Sequence, residues 1–361
     1  MTRVFNFSAG PAALPLEVLE QIRADIPEWM DTGMTVMELS HRSKEFIGVA
    51  EQAEADLREL MGVPDDYAVL FLQGGATAQF ALLPMNLAGP DETVDYLVTG
   101  AWGKKAVKEA GTLRNVNVVA DGADSNYTDV PPAGDWSLTS NAAYFHYTPN
   151  ETIGGVEIHE PPATGDVPLV ADMSSTILSR PVDVSRFGVI YAGAQKNIGP
   201  AGITVVIIRK DLLARDAQAS LPRILSYAAH AEGGSMLNTP PTFAWYVAGL
   251  VFAWIKRQGG LEAMAEINAG KAQRLYSAID ESSFYANPVA VPYRSWMNVP
   301  FTLAKPELDG DFLKEAAAAD LTNLKGHRSV GGMRASIYNA VSEEAVDALI
   351  DFMADFERRR A

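Results

Sequence analysis

Between Tyr67 and Arg209 the chain repeats one device. A short, nearly continuous apolar run stops on small or polar residues, and a new segment begins. The runs are "YAVLFLQGG", "TVDYLVTG", "NAAYFHYTPN", "VPLVADMSS", "FGVIYAGAQ" and "ITVVIIR". A strand with one wet face would alternate polar and apolar residues, whereas unbroken apolar runs describe strands covered on both faces. Before and between the runs lie stretches of helical periodicity, such as "PLEVLEQIRADIPEWM" and "KEFIGVAEQAEADLRELMG". From about Leu16 to Arg209 this predicts an α/β fold, a mostly parallel sheet with helices on both faces. Ligands of such sheets sit at the carboxyl ends of the strands. The residues that end these runs are therefore the candidate site.

The rest of the chain reads differently. "FAWYVAGLVFAWI", Phe243 to Ile255, is the longest apolar run, with 13 residues. A membrane span needs about 17–25 residues. The run reads as a buried helix that starts after "NTPPT" and closes at Lys256 and Arg257. Gln258 to Gly260 marks a boundary. Beyond it come a helix, strand-like "WMNVPFTL" and "MRASIYN", and the amphipathic "SEEAVDALIDFMADFERRR". That pattern predicts a smaller α+β domain. The expected organisation is an N-terminal segment 1–15 near the active site, a large domain 16–258 and a small C-terminal domain 259–361. The opening "MTRVFNFSAGPAALP" has no apolar core of a signal peptide, so a cytoplasmic location is expected.

Charge and cysteine usage narrow the chemistry. The formal net charge is −16 over 361 residues. Nucleic acid and anionic membrane are not expected partners, since neither electrostatic footprint is present. An anionic substrate must then be caught by a local cluster of cations. The chain has no cysteine. A disulfide framework, a thiolate metal site and a cysteine nucleophile are excluded, and no metal is expected.

Lys196 stands in "GAQKNIGPAG", between two of the apolar runs. An isolated lysine is usually a surface residue. Here flanking strands would half-bury it and lower its pKa toward that of a usable nucleophile, while the glycines leave room for a bulky ligand. Asp172 ends the earlier run "PLVAD", and Trp102 sits in a Gly-Ala-Trp-Gly turn at another strand end. An amine for a Schiff base, a carboxylate for a ring nitrogen and an aromatic face are the parts that a pyridoxal phosphate site needs. Each alone has an ordinary structural reading: Asp172 as a helix cap, Trp102 as a packing residue.

The set resembles the class V pyridoxal-phosphate aminotransferases, and within them the phosphoserine aminotransferase family. The resemblance is carried by "FNFSAGPAALP", "ELSHRS", "LFLQGGATAQF", "GAWGKKA", "HYTPNETIGGVE", "ADMSSTILSRP", "GAQKNIGPAG", "LNTPPTFA" and "GHRSVGGMRASIYNA", in the family's order from Phe5 to Ala340. It implies a fold type I transferase with pyridoxal 5′-phosphate as cofactor. Lys196 would bond the cofactor and shuttle a proton; Asp172 would pair with the ring nitrogen, and Trp102 would stack on the ring. Thr152 would reach the cofactor's 3′ oxygen. Ala76, Thr77 and Gln195 would hold its phosphate, joined by Asn238 and Thr239 of a partner subunit. Some members carry a basic side chain where Thr77 stands, so here backbone and hydroxyl donors carry more of that task.

For the substrate, the resemblance implies phosphate binding by His41, Arg42, His327 and Arg328, some across a dimer interface. It implies α-carboxylate binding by Arg334, and glutamate contacts by Ser8 and Arg42. Arginine's planar fork suits both anions. His146 and His159 read as structural. The implied reaction takes L-glutamate and 3-phosphohydroxypyruvate to O-phospho-L-serine and 2-oxoglutarate in serine biosynthesis. 4-Phosphohydroxy-L-threonine of vitamin B6 synthesis is a further candidate substrate, and a homodimer with shared sites is implied. The alternatives are another class V transaminase, acting on small unphosphorylated keto acids, and a non-catalytic protein retaining the fold. The first would not need two His-Arg pairs, and the second would not need Lys196, Asp172 and Trp102.

Overall fold

The computed structural model describes residues 3–215 and 221–360. The strands are β1 (Phe5–Asn6), β2 (Tyr67–Leu72), β3 (Thr93–Val98), β4 (Asn115–Asp121), β5 (Phe145–Tyr147), β6 (Asn150–Glu151) and β7 (Val156–Glu157). They continue with β8 (Leu169–Asp172), β9 (Val189–Gly193), β10 (Thr204–Arg209), β11 (Tyr285–Ala286), β12 (Asn298–Leu303), β13 (Leu321–Thr322) and β14 (Met333–Ser336). The helices are α1 (Leu16–Asp25), α2 (Lys44–Met61), α3 (Gly75–Leu87), α4 (Ala101–Ala110) and α5 (Lys210–Leu213). After them come α6 (Tyr227–Glu232), α7 (Thr242–Arg257), α8 (Gly260–Asp280), α9 (Asp309–Ala318) and α10 (Glu343–Arg360).

Seven strands form the central sheet in the order β2-β10-β9-β8-β5-β3-β4. Only β10 runs against its neighbours, pairing antiparallel with both β2 and β9. The expected α/β fold with a mostly parallel sheet is what the chain adopts. Apart from the edge strand β4, its strands are buried on both faces, as the unbroken apolar runs require. In β2, Tyr67, Val69 and Phe71 face one core, with Phe46 of α2 and Trp245 of α7. Ala68, Leu70 and Leu72 face the other, with Phe80 of α3 and Ala106 of α4. The two-residue period of a strand divides the run between two helical layers. Trp245 stacks on Phe71 with ring centroids 4.5 Å apart, so the 243–255 run is a buried core helix. Among the described residues no helix is long and apolar enough to cross a membrane.

Local signals set the helix ends. Ser43 accepts a hydrogen bond from the Phe46 amide at the start of α2, and Gly62 closes it with a left-handed φ of 58°. Helix α1 stops at Asp25, short of the periodic stretch, because Pro27 follows.

The chain beyond α7 packs β11, β12 and β14 as a three-stranded sheet under α8, α9 and α10. Helix α8 spans both cores: Leu261 and Met264 lie in the core of the large sheet, and Leu275 and Ile279 in the second. A wholly buried ammonium, Lys271 on α8, donates to the carbonyls of Ile337, Tyr338 and Val341 at 3.0, 2.9 and 2.8 Å. It fixes the segment that follows β14. The N-terminal segment bridges the two: β1 pairs in parallel with β13, and Ala12 N donates to Gln195 O at 2.9 Å.

Candidate active site

Because β2, β3, β5, β8 and β9 run the same way, their carboxyl ends gather along one edge. There a pocket of about 180 Å³ opens. Its walls include Ala76, Thr77, Trp102, Thr152, Asp172, Gln195 and Lys196. Seven residues from five separated motifs thus share one cavity, each delivered by the end of a strand or the turn after it.

Lys196 follows β9 and is 8% exposed. Its Nζ donates to Thr152 Oγ1 at 2.6 Å. Burial lowers its amine from 10.5 to about 8, against the attraction of Asp172. A useful fraction of free amine is therefore present near neutral pH. Gly10 covers it from the other side. A Cβ there would lie 3.6 Å from Lys196 Cε and 3.3 Å from Gln195 Oε1, and φ at Gly10 is +146°.

Asp172 ends β8. Its Oδ1 accepts from Ser174 N at 3.0 Å and from Ser174 Oγ at 2.5 Å. Burial raises its pKa, while the Ser174 bonds oppose the rise. A buried carboxylate facing a cavity is suited to a cationic partner in that cavity. Behind it, Tyr191 of β9 sits at the paired position, and its hydroxyl lies 2.8 Å from His146 Nε2. Burial pushes His146 down to about 3, so this imidazole is neutral.

Opposite, α3 begins at a Gly74–Gly75 turn with φ values of 97° and 67° and no side-chain cap. The amides of its first turn are thus left for a ligand, an arrangement suited to an anion. Gly193 lets β9 approach them: a Cβ there would lie 3.4 Å from Ala76 N.

Trp102 lies in the first turn of α4, and its Nε1 is buried without a partner. Glu151, quoted in a motif but given no role, proves to be wholly buried and bonded to the amides of Trp102 and Gly103. Strand β6 is only Asn150 and Glu151, two polar residues, so its sequence carried no signal of this burial.

The anion-binding candidates are arranged less tightly. Arg334 reaches Thr152 O at 3.2 Å, and its Nε is buried without a partner. Burial lowers the His327 pKa, as do the nearby cations Arg334, Arg328 and Lys105. Arg328, Arg334 and Lys105 thus stand around the His327 ring, and Arg334 meets the pocket wall at Thr152. Ser8 is half-buried beside this region, its amide bonded to Asn6 Oδ1 at 3.0 Å. Ser8, His327, Arg328 and Arg334 are not among the residues that line the pocket, and neither are His41, Arg42, Asn238 and Thr239. His41 and Arg42 precede α2, with His41 Nε2 buried and unpaired. Asn238 and Thr239 are exposed and meet Gln73 at 3.4 and 3.5 Å.

The donor set fits the cofactor that the resemblance implies. A buried amine with a lowered pKa, a carboxylate without a cationic partner, an indole face and free helix amides match an aldehyde, a ring nitrogen, a ring and a phosphate. The comparisons with known proteins agree. The family model "Aminotransferase class-V" matches residues 4–349. The chain belongs to the class V aminotransferases.

These enzymes include near relatives of the chain. It is 61% identical over 359 residues to the phosphoserine aminotransferase of Hahella chejuensis, covering 99% of each. The structure of the phosphoserine aminotransferase from Bacillus circulans subsp. alkalophilus is 49% identical, with a TM-score of 0.97 over 99% of both chains. A pyridoxal-phosphate-bound phosphoserine aminotransferase from Trichomonas vaginalis is 44% identical, with a TM-score of 0.94 over 98% of this chain and 100% of that one.

Proposed function

We propose that this class V aminotransferase transfers the amino group of L-glutamate to 3-phosphohydroxypyruvate, giving O-phospho-L-serine and 2-oxoglutarate. The observation that carries the reading is the Lys196 amine, lowered to about 8 and held 2.6 Å from Thr152, in a pocket whose wall Arg334 meets at Thr152 O. Pyridoxal phosphate, when bound, supplies an electron sink and a carbonyl that accepts and returns the amino group. Lys196 holds the cofactor and moves the proton at the substrate's Cα. Asp172 pairs with the ring nitrogen, and Ser174 keeps that carboxylate in place. Trp102 covers the ring, Thr152 orients its oxygen, and the amides near Ala76 and Thr77, with Gln195, take the phosphate. Arg334 holds the α-carboxylate common to both substrates, with Ser8 beside it. Arg328 and His327 hold the distal phosphate, and the anion restores the proton that burial and neighbouring cations remove from His327.

The rest of the reading concerns assembly. Met30, Met34, Met37 and Ile47 are exposed, with Met30 at 73%, and they flank His41 and Arg42 along the chain. Exposed apolar side chains at this density suit a covered surface. A homodimer would bury them and bring His41, Arg42, Asn238 and Thr239 to the neighbour's pocket; a monomer by light scattering opposes this. The division at residues 258 and 259, the cytoplasmic setting, the place in serine biosynthesis and the use of 4-phosphohydroxy-L-threonine belong to the same proposal. The half-reaction tests it: mixing holoenzyme with O-phosphoserine or glutamate should shift the cofactor absorbance, and equal concentrations of serine or alanine should not. An equal response to serine would favour a transaminase of unphosphorylated acids.

A further inference from the structure

Glu151 is a buried carboxyl that the reaction does not use. Its side chain is 0% exposed. One carboxylate oxygen accepts from Trp102 N at 3.0 Å and the other from Gly103 N at 2.8 Å. No ion pair to it occurs among the described residues. Taking a carboxylate out of water without a counter-charge is costly, and burial raises this one to about 7, with the two amides opposing the rise.

Two features show that the place is made for this side chain. Helix α4 has no cap of its own, because Gly100 holds the cap position. A Cβ at residue 100 would fall 2.4 Å from the Glu151 carboxyl carbon. The φ of Gly100 is 174°, extended backbone that any residue adopts, so room for Glu151 is what requires glycine. The carboxylate occupies the cap site from fifty residues away, and the amide end of the helix favours its charge.

The next residue completes the geometry. Glu151 ends β6, and Thr152 opens the turn that leads into β7, closed by a hydrogen bond from Gly155 N to Glu151 O at 2.8 Å. Glu151 holds the amides of Trp102 and Gly103, while Thr152 accepts from Lys196 Nζ at 2.6 Å. Lys105 Nζ lies 4.1 Å from the centroid of the Trp102 ring, so an ammonium covers part of that ring. Indole and amine are thus referred to one short stretch of backbone.

We infer that Glu151 is a positioning residue: it ties the backbone of Trp102 to the hairpin that holds Lys196, and so fixes the indole relative to the amine. The inference rests on the reading that Trp102 covers the cofactor ring, but the tie itself exists without cofactor. Cofactor-free protein labelled with 5-fluorotryptophan tests it. The chain has six tryptophans, and Trp102→Phe identifies the resonance of Trp102. Glu151→Gln keeps the shape and one acceptor. Gly100→Ala keeps the charge and displaces the carboxylate. Both should move the Trp102 signal and leave the other five in place, and Glu151→Ala should move it further than Glu151→Gln. In holoenzyme, Glu151→Gln should weaken cofactor binding about tenfold, as expected for one lost bond to a charged group. A Trp102 signal that stays put in both first variants overturns the inference. Six signals that move together overturn it as well, leaving only a general structural cap. Failure of wild-type protein to bind pyridoxal phosphate would sink the cofactor reading instead, while the fluorine signals still decide the tie.

Discussion

The two ends of the site are built from different material. At the lysine end, Lys196, Thr152 and Asp172 are 8%, 4% and 4% exposed, and each stands at or just beyond a strand end with a named partner. At the anion end, Arg42 and Arg328 are exposed on turns, and the His327 ring bonds Ser329, two residues away. Chemistry common to a whole enzyme family is set in the sheet, where packing fixes it. On the proposed function, recognition of one substrate is set on loops, where a bound anion and a second copy of the chain would supply the missing order.

The comparison breaks most sharply at Lys196. Lys196→Ala should lower single-turnover transamination by about 10⁴-fold or more, because both the cofactor bond and the proton carrier are lost. Circular dichroism should remain that of the folded protein. A rate near wild type without added amines would dissolve the distinction between the two ends.

The anion end should divide by substrate. Arg328→Ala should lower kcat/KM for O-phosphoserine by roughly 10–100-fold, the loss of a charge-assisted contact, and leave glutamate nearly unchanged. Arg334→Ala should harm both, since both carry an α-carboxylate. Equal losses in the two variants would remove Arg328 from the phosphate site.

The smallest effect is a slope. The Lys196 amine titrates at about 8 in the folded protein, against 10.5 when free. Below pH 8 both states are protonated, and the burial penalty is felt in full. Between pH 8 and about 10.5 the unfolded chain holds more protons, so the stability of cofactor-free protein should rise with pH. Lys271, lowered by burial to about 7, acts with the same sign. Urea titrations of wild type and Lys196→Met share Lys271, so their difference isolates Lys196. Parallel stability curves would place the amine in water.

The lysine end was readable because each of its residues closes an apolar run, and a run end in a parallel sheet is already a position in space. Other parts were hidden for physical reasons. Strand β4, "NVNVVAD", alternates because it lies at the sheet edge with Val118 39% exposed, and so it departs from the unbroken pattern. Strand β1 has two residues and no period to read. His146 reads as structural, and its bond to the Tyr191 hydroxyl behind Asp172 depends on pairing across three strands. The burial of Glu151 is decided by Gly100, so neither motif announces it alone. His41 and Arg42 stand apart from their own pocket, and only the family resemblance joins them to it.

The pairing of β1 with β13 also orders events in time. Phe5 and Thr322 share a hydrogen bond although 317 positions separate them, and Ala9 O accepts from the hydroxyl of Tyr338. The residues that roof Lys196 leave the ribosome well before their partners, which lie 317 and 329 positions further along the chain. Closing so long a loop adds little free energy beyond a shorter one, since the cost grows only with the logarithm of its length. What it imposes is a wait. A nascent chain can assemble the sheet with its lysine uncovered, and the roof arrives only once translation has passed Tyr338.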